Sequence, residues 1–129
     1  MKLRKTDSMF RKLILRRDNF TCQRCGRQYT EDNCRGLHVS HYWGRGRENT
    51  RFDFENCIAL CYPCHEFHWG HGDERPEYMA FMLKRLGQKK YELLELRAHI
   101  TKKRDDRADE IILKQLLKDM NVRGMVVST

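Results

Sequence analysis

At 129 residues, the chain can form one compact domain, or a small metal-stapled module with a helical appendage, but not two ordinary domains. Its formal net charge of +8 comes from clusters: Lys2, Arg4, Lys5, Arg11, Lys12, Arg16 and Arg17 open the chain, and Arg45, Arg47 and Arg51 follow later, a pattern that attracts phosphate backbones unless it is merely a basic solvated surface. No window approaches the ~20 apolar residues of a membrane span, and the opening MKLRKTDSMFRKLILRR has neither an apolar h-region nor a small-residue cleavage site, so a soluble intracellular protein is expected.

In chain order, Phe10, Leu13, Ile14 and Arg17 recur at helical spacing after the candidate caps Asp7 and Ser8, which predicts a helix over 8–17. Thr21 to Arg27 forms a knuckle in which Gly26 can take a positive φ. The short alternating run Leu37 to Tyr42 reads as a strand, Asn56 to Leu60 as its partner, and Pro63 or Cys64 to Trp69 as a short helix. After the polar break Gly70-His71-Gly72-Asp73, Asp73 suits an N-cap and Pro76 a first turn. Tyr78, Phe81, Met82, Arg85 and Leu86 then form a helical stripe that stops near Gly87. A second helical pattern uses Tyr91, Leu94 and Ala98, widened by Leu93, Leu96 and Ile100. The charged run from Lys102 to Arg107 is either a linker or a solvated turn of one long helix. Ile111, Ile112, Gln115, Leu116 and Met120 resume the spacing, with fraying expected from Asn121. The resulting class is α+β, with a strand-strand-helix module and its N-terminal helix over 1–72 and a helical extension over 73–129.

Cys22-x-x-Cys25 and Cys61-x-x-Cys64 each place two thiols on one tight turn, and two such turns can close a tetrahedral shell around zinc. Disulfides or reduced core cysteines are the competing readings, yet nothing in the sequence points to an oxidising compartment. Cys57, inside the apolar run Cys57-Ile58-Ala59-Leu60, reads as a small core residue. Cys34 lies in a polar loop, where a ligand role is the minor alternative.

With His41, Asn56 and His65 set between and beside the two cysteine pairs, the segment from about residue 10 to 69 resembles the HNH, or ββα-metal, endonucleases braced by two C-x-x-C knuckles. The resemblance implies that His41 is the general base, that His65 is a ligand of the catalytic metal, and that the Asn56 amide ties together the loop that orients the base. It also implies a catalytic Mg²⁺ or Mn²⁺ distinct from the structural zinc, and DNA as substrate. An unperturbed imidazole titrates near neutrality and so can take a proton from water. Many relatives carry Asp directly before the base, as a second metal ligand; this chain has Ser40, a weak ligand. His38 and His68 are the candidate replacements, with His71 behind them, and a histidine-dominated shell favours Mn²⁺ or another transition ion. In the loop from Tyr42 to Phe52, Arg45, Arg47 and Arg51 are candidate phosphate clamps, while Trp43 and Phe52 either stack on bases or pack against the small core.

Thr50-Arg51-Phe52-Asp53, Cys61-Tyr62-Pro63-Cys64 and the following helix ending near Gly87 are also similar to the NinG-type phage recombination nucleases. That likeness implies branched or single-strand-containing DNA and the cytoplasm of a bacterial or phage-infected cell. Two other classes compete. A non-catalytic zinc DNA-binding module would use the cysteines and arginines but not His41 or His65, and an interaction protein would pair its helical tail with itself or a partner. A homodimer would supply the two active sites needed to cut both strands together.

Overall fold

The computed structural model describes residues 2–126, with side chains through Asn121. Helix α1 (Lys5–Arg17) starts earlier than its apolar spacing implies, because Asp7 is not the cap. It lies in the first turn and reaches back to accept the Arg4 backbone N–H at 2.7 Å, the reciprocal half of a capping box. Phe10, Leu13, Ile14 and Leu15 are buried, whereas Arg17 leaves the stripe to pair with Asp18 and donate to the Cys57 carbonyl. The chain then turns through Asn19 and Phe20, at φ 53° and 51°, a left-handed conformation that costs non-glycine residues. Beside that turn the buried Asp18 carboxylate is fastened to the sheet, accepting the Ala59 N–H at 2.8 Å and pairing with Arg85.

Strands β1 (Leu37–His41) and β2 (Cys57–Cys61) pair antiparallel, Leu37 opposite Cys61 and His41 opposite Cys57. Every residue of β2 is buried, as its unbroken apolar run demands. Phe10, Leu13 and Ile14 pack with Cys57 in one core; Ile58 and Leu60 share a second with Cys22, Cys61 and Cys64 and with Tyr78 and Met82. Asn56 lies not in the strand but in the 3₁₀ turn Phe54–Asn56 just before it. After β2 comes a π-helical segment, Cys64–His68, in which the Trp69 N–H reaches back five residues to the Cys64 carbonyl.

Helices α2 (Arg75–Leu86), α3 (Gln88–Ala98) and α4 (Asp106–Val126) complete the fold. The residue capping α2 is Glu74 rather than Asp73. Tyr91, Leu94 and Ala98 are buried as their spacing predicts, but Leu93, Leu96 and Ile100 stay exposed. The charged run is a linker up to Asp105, not a turn of a continuous helix. The inward face of α4 matches the predicted one only in part: Leu116 and Met120 pack towards α1 as expected, joined by Leu113 and Leu117, while Ile111 and Ile112 face solvent. Apolar residues flank this stripe on both sides, so only the contact with α1 fixes its phase. The helix runs on through Asn121, which accepts a hydrogen bond from Arg16, to Val126; expected fraying at 127–129 lies outside the described residues. Among the described residues no helix is long and apolar enough to cross a membrane.

The outcome is a small α+β fold in which a two-stranded sheet sits among helices beside a four-cysteine cluster.

Candidate active site and metal centre

Cys22 and Cys25 occupy a turn closed by the Cys22 N–H on the Arg27 carbonyl and the Gly26 N–H on the Cys22 carbonyl, with Gly26 at the expected positive φ. Cys61 ends β2 and Cys64 opens the π-helical segment. The ligand atoms of Cys22, Cys25, Cys61 and Cys64 all lie within 4.8 Å of one another, and all four thiols are free of disulfides. This cluster can hold a structural metal such as zinc. Burial pushes the Cys64 thiol up to about 12, so four thiols this close shed their protons together only where a cation offsets the charge. Arg24 contributes to that offset: its Nη1 donates to the Cys64 sulfur at 3.3 Å. Sequence reasoning passed over Arg24, although it lies inside the first C-x-x-C. Cys57 is a buried core thiol and Cys34 stands apart beside Arg11.

At the far end of β1, His41 donates its Nε2–H to the Arg51 carbonyl at 2.9 Å. A carbonyl only accepts, so this bond fixes the tautomer and leaves Nδ1 with a lone pair. Burial pushes the His41 pKa down to about 4, which keeps the ring neutral near pH 7. Arg51, expected as a phosphate clamp, is only 1% exposed. Its guanidinium grips both oxygens of Asp7 and donates to the Arg45 carbonyl at 3.1 Å. Arg51 is thus a strut that positions the carbonyl under His41. Asn56 braces the same loop. Its Oδ1 accepts the Trp43 N–H at 2.8 Å, and its Nδ2 donates to the carbonyls of Trp43 (2.9 Å) and Thr50 (3.0 Å). These bonds pin both ends of the 43–50 loop.

His65 lies on the π-helical segment, its ring against Gly70, where an added Cβ would come within 2.1 Å of His65 Cδ2. Only glycine leaves room for that ring. Across from it, His38 Nδ1 stands 3.1 Å from His65 Nδ1. The His71 ring lies 4.6 Å from that of His65, with its own Nδ1 bonded to Glu66 at 3.0 Å. Burial lowers the pKa of both His38 and His65, the latter to about 4. His68 does not join this group. Its Nδ1 bonds to Glu74, because in π-helical geometry a spacing of three residues is well short of a full turn. Ser40 is fully buried, its hydroxyl bonded to the Tyr78 hydroxyl at 2.9 Å, and so is closed off from any metal.

Two clefts, of 300 and 490 Å³, share Val39, His41, Arg45 and His65 in their walls. His38 and Arg11 line the first, and Arg47, Gly70, His71 and Arg75 the second. Arg47 is exposed but donates to the Ala98 carbonyl at 3.2 Å and lies over Trp43. Trp43 packs on Tyr42 and His99, and Phe52 on Phe10, so both aromatic rings serve packing. Arg75, which sequence reasoning missed, stacks 3.8 Å over Tyr42. Among the described residues lining the clefts, the one carboxylate is Asp7, already committed to Arg51. This donor set does not fit Mg²⁺, which takes oxygen ligands; its imidazoles fit a softer ion.

Compared with protein-family models, with curated proteins and with solved structures, the chain matches none.

Proposed function

We propose that this protein is an endonuclease of the HNH, or ββα-metal, kind, which hydrolyses DNA phosphodiester bonds with His41 as general base and a zinc-filled four-cysteine cluster as its structural staple. The observation that carries this reading is the bond from His41 Nε2–H to the Arg51 carbonyl, in a cleft wall shared with His65. With Nε2 committed, Nδ1 is the atom that accepts the proton of an attacking water, and a buried neutral imidazole is available for this across the neutral pH range. Asn56 and Arg51 act as positioning residues that hold the loop and its carbonyl in place. A divalent ion held at His65 would, when bound, stabilise charge on the phosphoryl oxygens and on the leaving 3′-oxygen. Arg45, Arg47 and Arg75 give the clefts the positive field that a phosphate backbone requires.

The test is cleavage of supercoiled plasmid and of a synthetic four-way junction by wild type and by His41→Ala. Loss of a general base costs ~10²–10⁴-fold in rate, so the variant should cut neither substrate measurably while keeping its zinc and its DNA affinity. Preference for the junction would assign a branched recombination substrate. Failure of the zinc-loaded wild type to cut either one would replace this reading with a non-catalytic zinc DNA-binding module.

A further inference from the structure

We infer that His38 and His65 together form a second metal site, selective for a first-row transition ion such as Fe²⁺, Co²⁺, Ni²⁺ or Zn²⁺ over Mg²⁺. This deepens the endonuclease reading and rests on it only for the use to which the ion is put. The two Nδ1 atoms come from different elements, β1 and the π-helical segment, and approach to 3.1 Å. At the ~2.0–2.1 Å of a zinc–imidazole bond, that separation corresponds to an N–metal–N angle of about 100°, within the range of first-row ions. The two nitrogens are therefore close enough for one ion to take both.

Three further features support the site. Gly70 leaves room for the His65 ring, as no other residue would. The Glu66 carboxylate, bonded to the His71 ring that lies beside His65, places a negative charge next to the pair, which favours a cation there. Ser40, at the position where a carboxylate ligand is expected, is engaged with Tyr78. His65 lines both clefts and His38 the first, so water and a phosphate oxygen can reach the pair.

The same spacing also suits a plain N–H···N hydrogen bond between the rings, and the experiment separates the two. Full-length protein carrying one zinc is titrated with Ni²⁺ by calorimetry, with Mg²⁺ in large excess. The expected result is one additional Ni²⁺ per chain, lost in His38→Ala, His38→Gln and His65→Ala, kept in His68→Ala, with zinc content unchanged throughout. No second ion, undiminished binding in the zinc-retaining His38 variants, or displacement by Mg²⁺ would overturn the site. Ni²⁺ binding of this kind without cleavage of plasmid or junction would leave the site standing and remove the endonuclease reading. Mg²⁺-dependent cleavage undiminished in His38→Ala, with no second ion bound by the wild type, would do the reverse.

Discussion

Asn56 has no solvent exposure and spends its amide on three loop groups, the Trp43 N–H, the Trp43 carbonyl and the Thr50 carbonyl. Asn56→Ala strands the Trp43 N–H and the Trp43 carbonyl and leaves the Thr50 carbonyl with the Asp53 N–H as its remaining donor. An orphaned buried donor or acceptor costs ~1–3 kcal/mol, and the weaker deficits at carbonyls that keep a second lone pair bring the expected loss to about 3–5 kcal/mol. A domain of this size has a total stability of only ~5–15 kcal/mol. Asn56→Asp is the sharper probe. It keeps the volume and one oxygen for the Trp43 N–H, but sets the other oxygen against two carbonyl oxygens at 2.9 and 3.0 Å. That carboxylate must either stay charged and unpaired or take up a proton, so its folded pKa rises above the unfolded value of ~3.9. The penalty is then fully present above the folded pKa and fades as pH falls towards the unfolded one. Urea denaturation of the zinc-loaded proteins, followed by tryptophan fluorescence, should show Asn56→Asp at least as destabilised as Asn56→Ala at pH 7 and partly recovered in mild acid. An aspartate variant within about 1 kcal/mol of wild type at pH 7 would refute the reasoning, since the amide's donors could not then face those carbonyls.

Three more outcomes are expected. Gly70→Ala should displace the His65 ring and abolish cleavage while zinc content, measured by metal analysis, stays at the wild-type level. Chelation of zinc, or Cys64→Ser, should unfold the core that Cys22, Cys61 and Cys64 share with Ile58, Leu60 and Tyr78; retention of a cooperative melt after complete zinc removal would contradict this. His41, held down to about 4 in the folded chain, binds fewer protons than its unfolded counterpart at ~6.5. Its contribution to stability should therefore fall as pH drops from about 6.5 to 4 and level off below, with His41→Phe flattening that part of the profile.

The sequence made legible whatever depended on spacing within one element. The two C-x-x-C turns, the Gly26 turn and the Leu37 and Cys57 strands each follow from neighbours a few residues apart, whereas the loop-tying amide of Asn56, 13 residues from Trp43, is expected only from the family resemblance. The rest depended on partners far along the chain. Arg51 looks like a surface clamp until Asp7, 44 residues earlier, is placed beside it. The face that α4 buries is undecided until α1 chooses it. His68 reads as a neighbour of His65 on an α-helical wheel, and the π-helical segment removes that neighbour while bringing in His38 and His71 from either side. Ser40 looks like a departure from a family metal ligand, and its buried bond to Tyr78, 38 residues on, gives the serine a packing role instead.

Arg51 spends its side chain on α1 and its carbonyl on His41. A fragment begun at residue 18 would still carry both cysteine pairs and every histidine of the site, yet it would lose the carboxylate that holds the Arg51 guanidinium and the α1 face of Phe10, Leu13 and Ile14 that packs on Cys57. The smallest transplantable unit is thus longer than the motif that advertises it. Anyone grafting this centre into another scaffold, or trimming the chain to a minimal version, must carry Asp7 along.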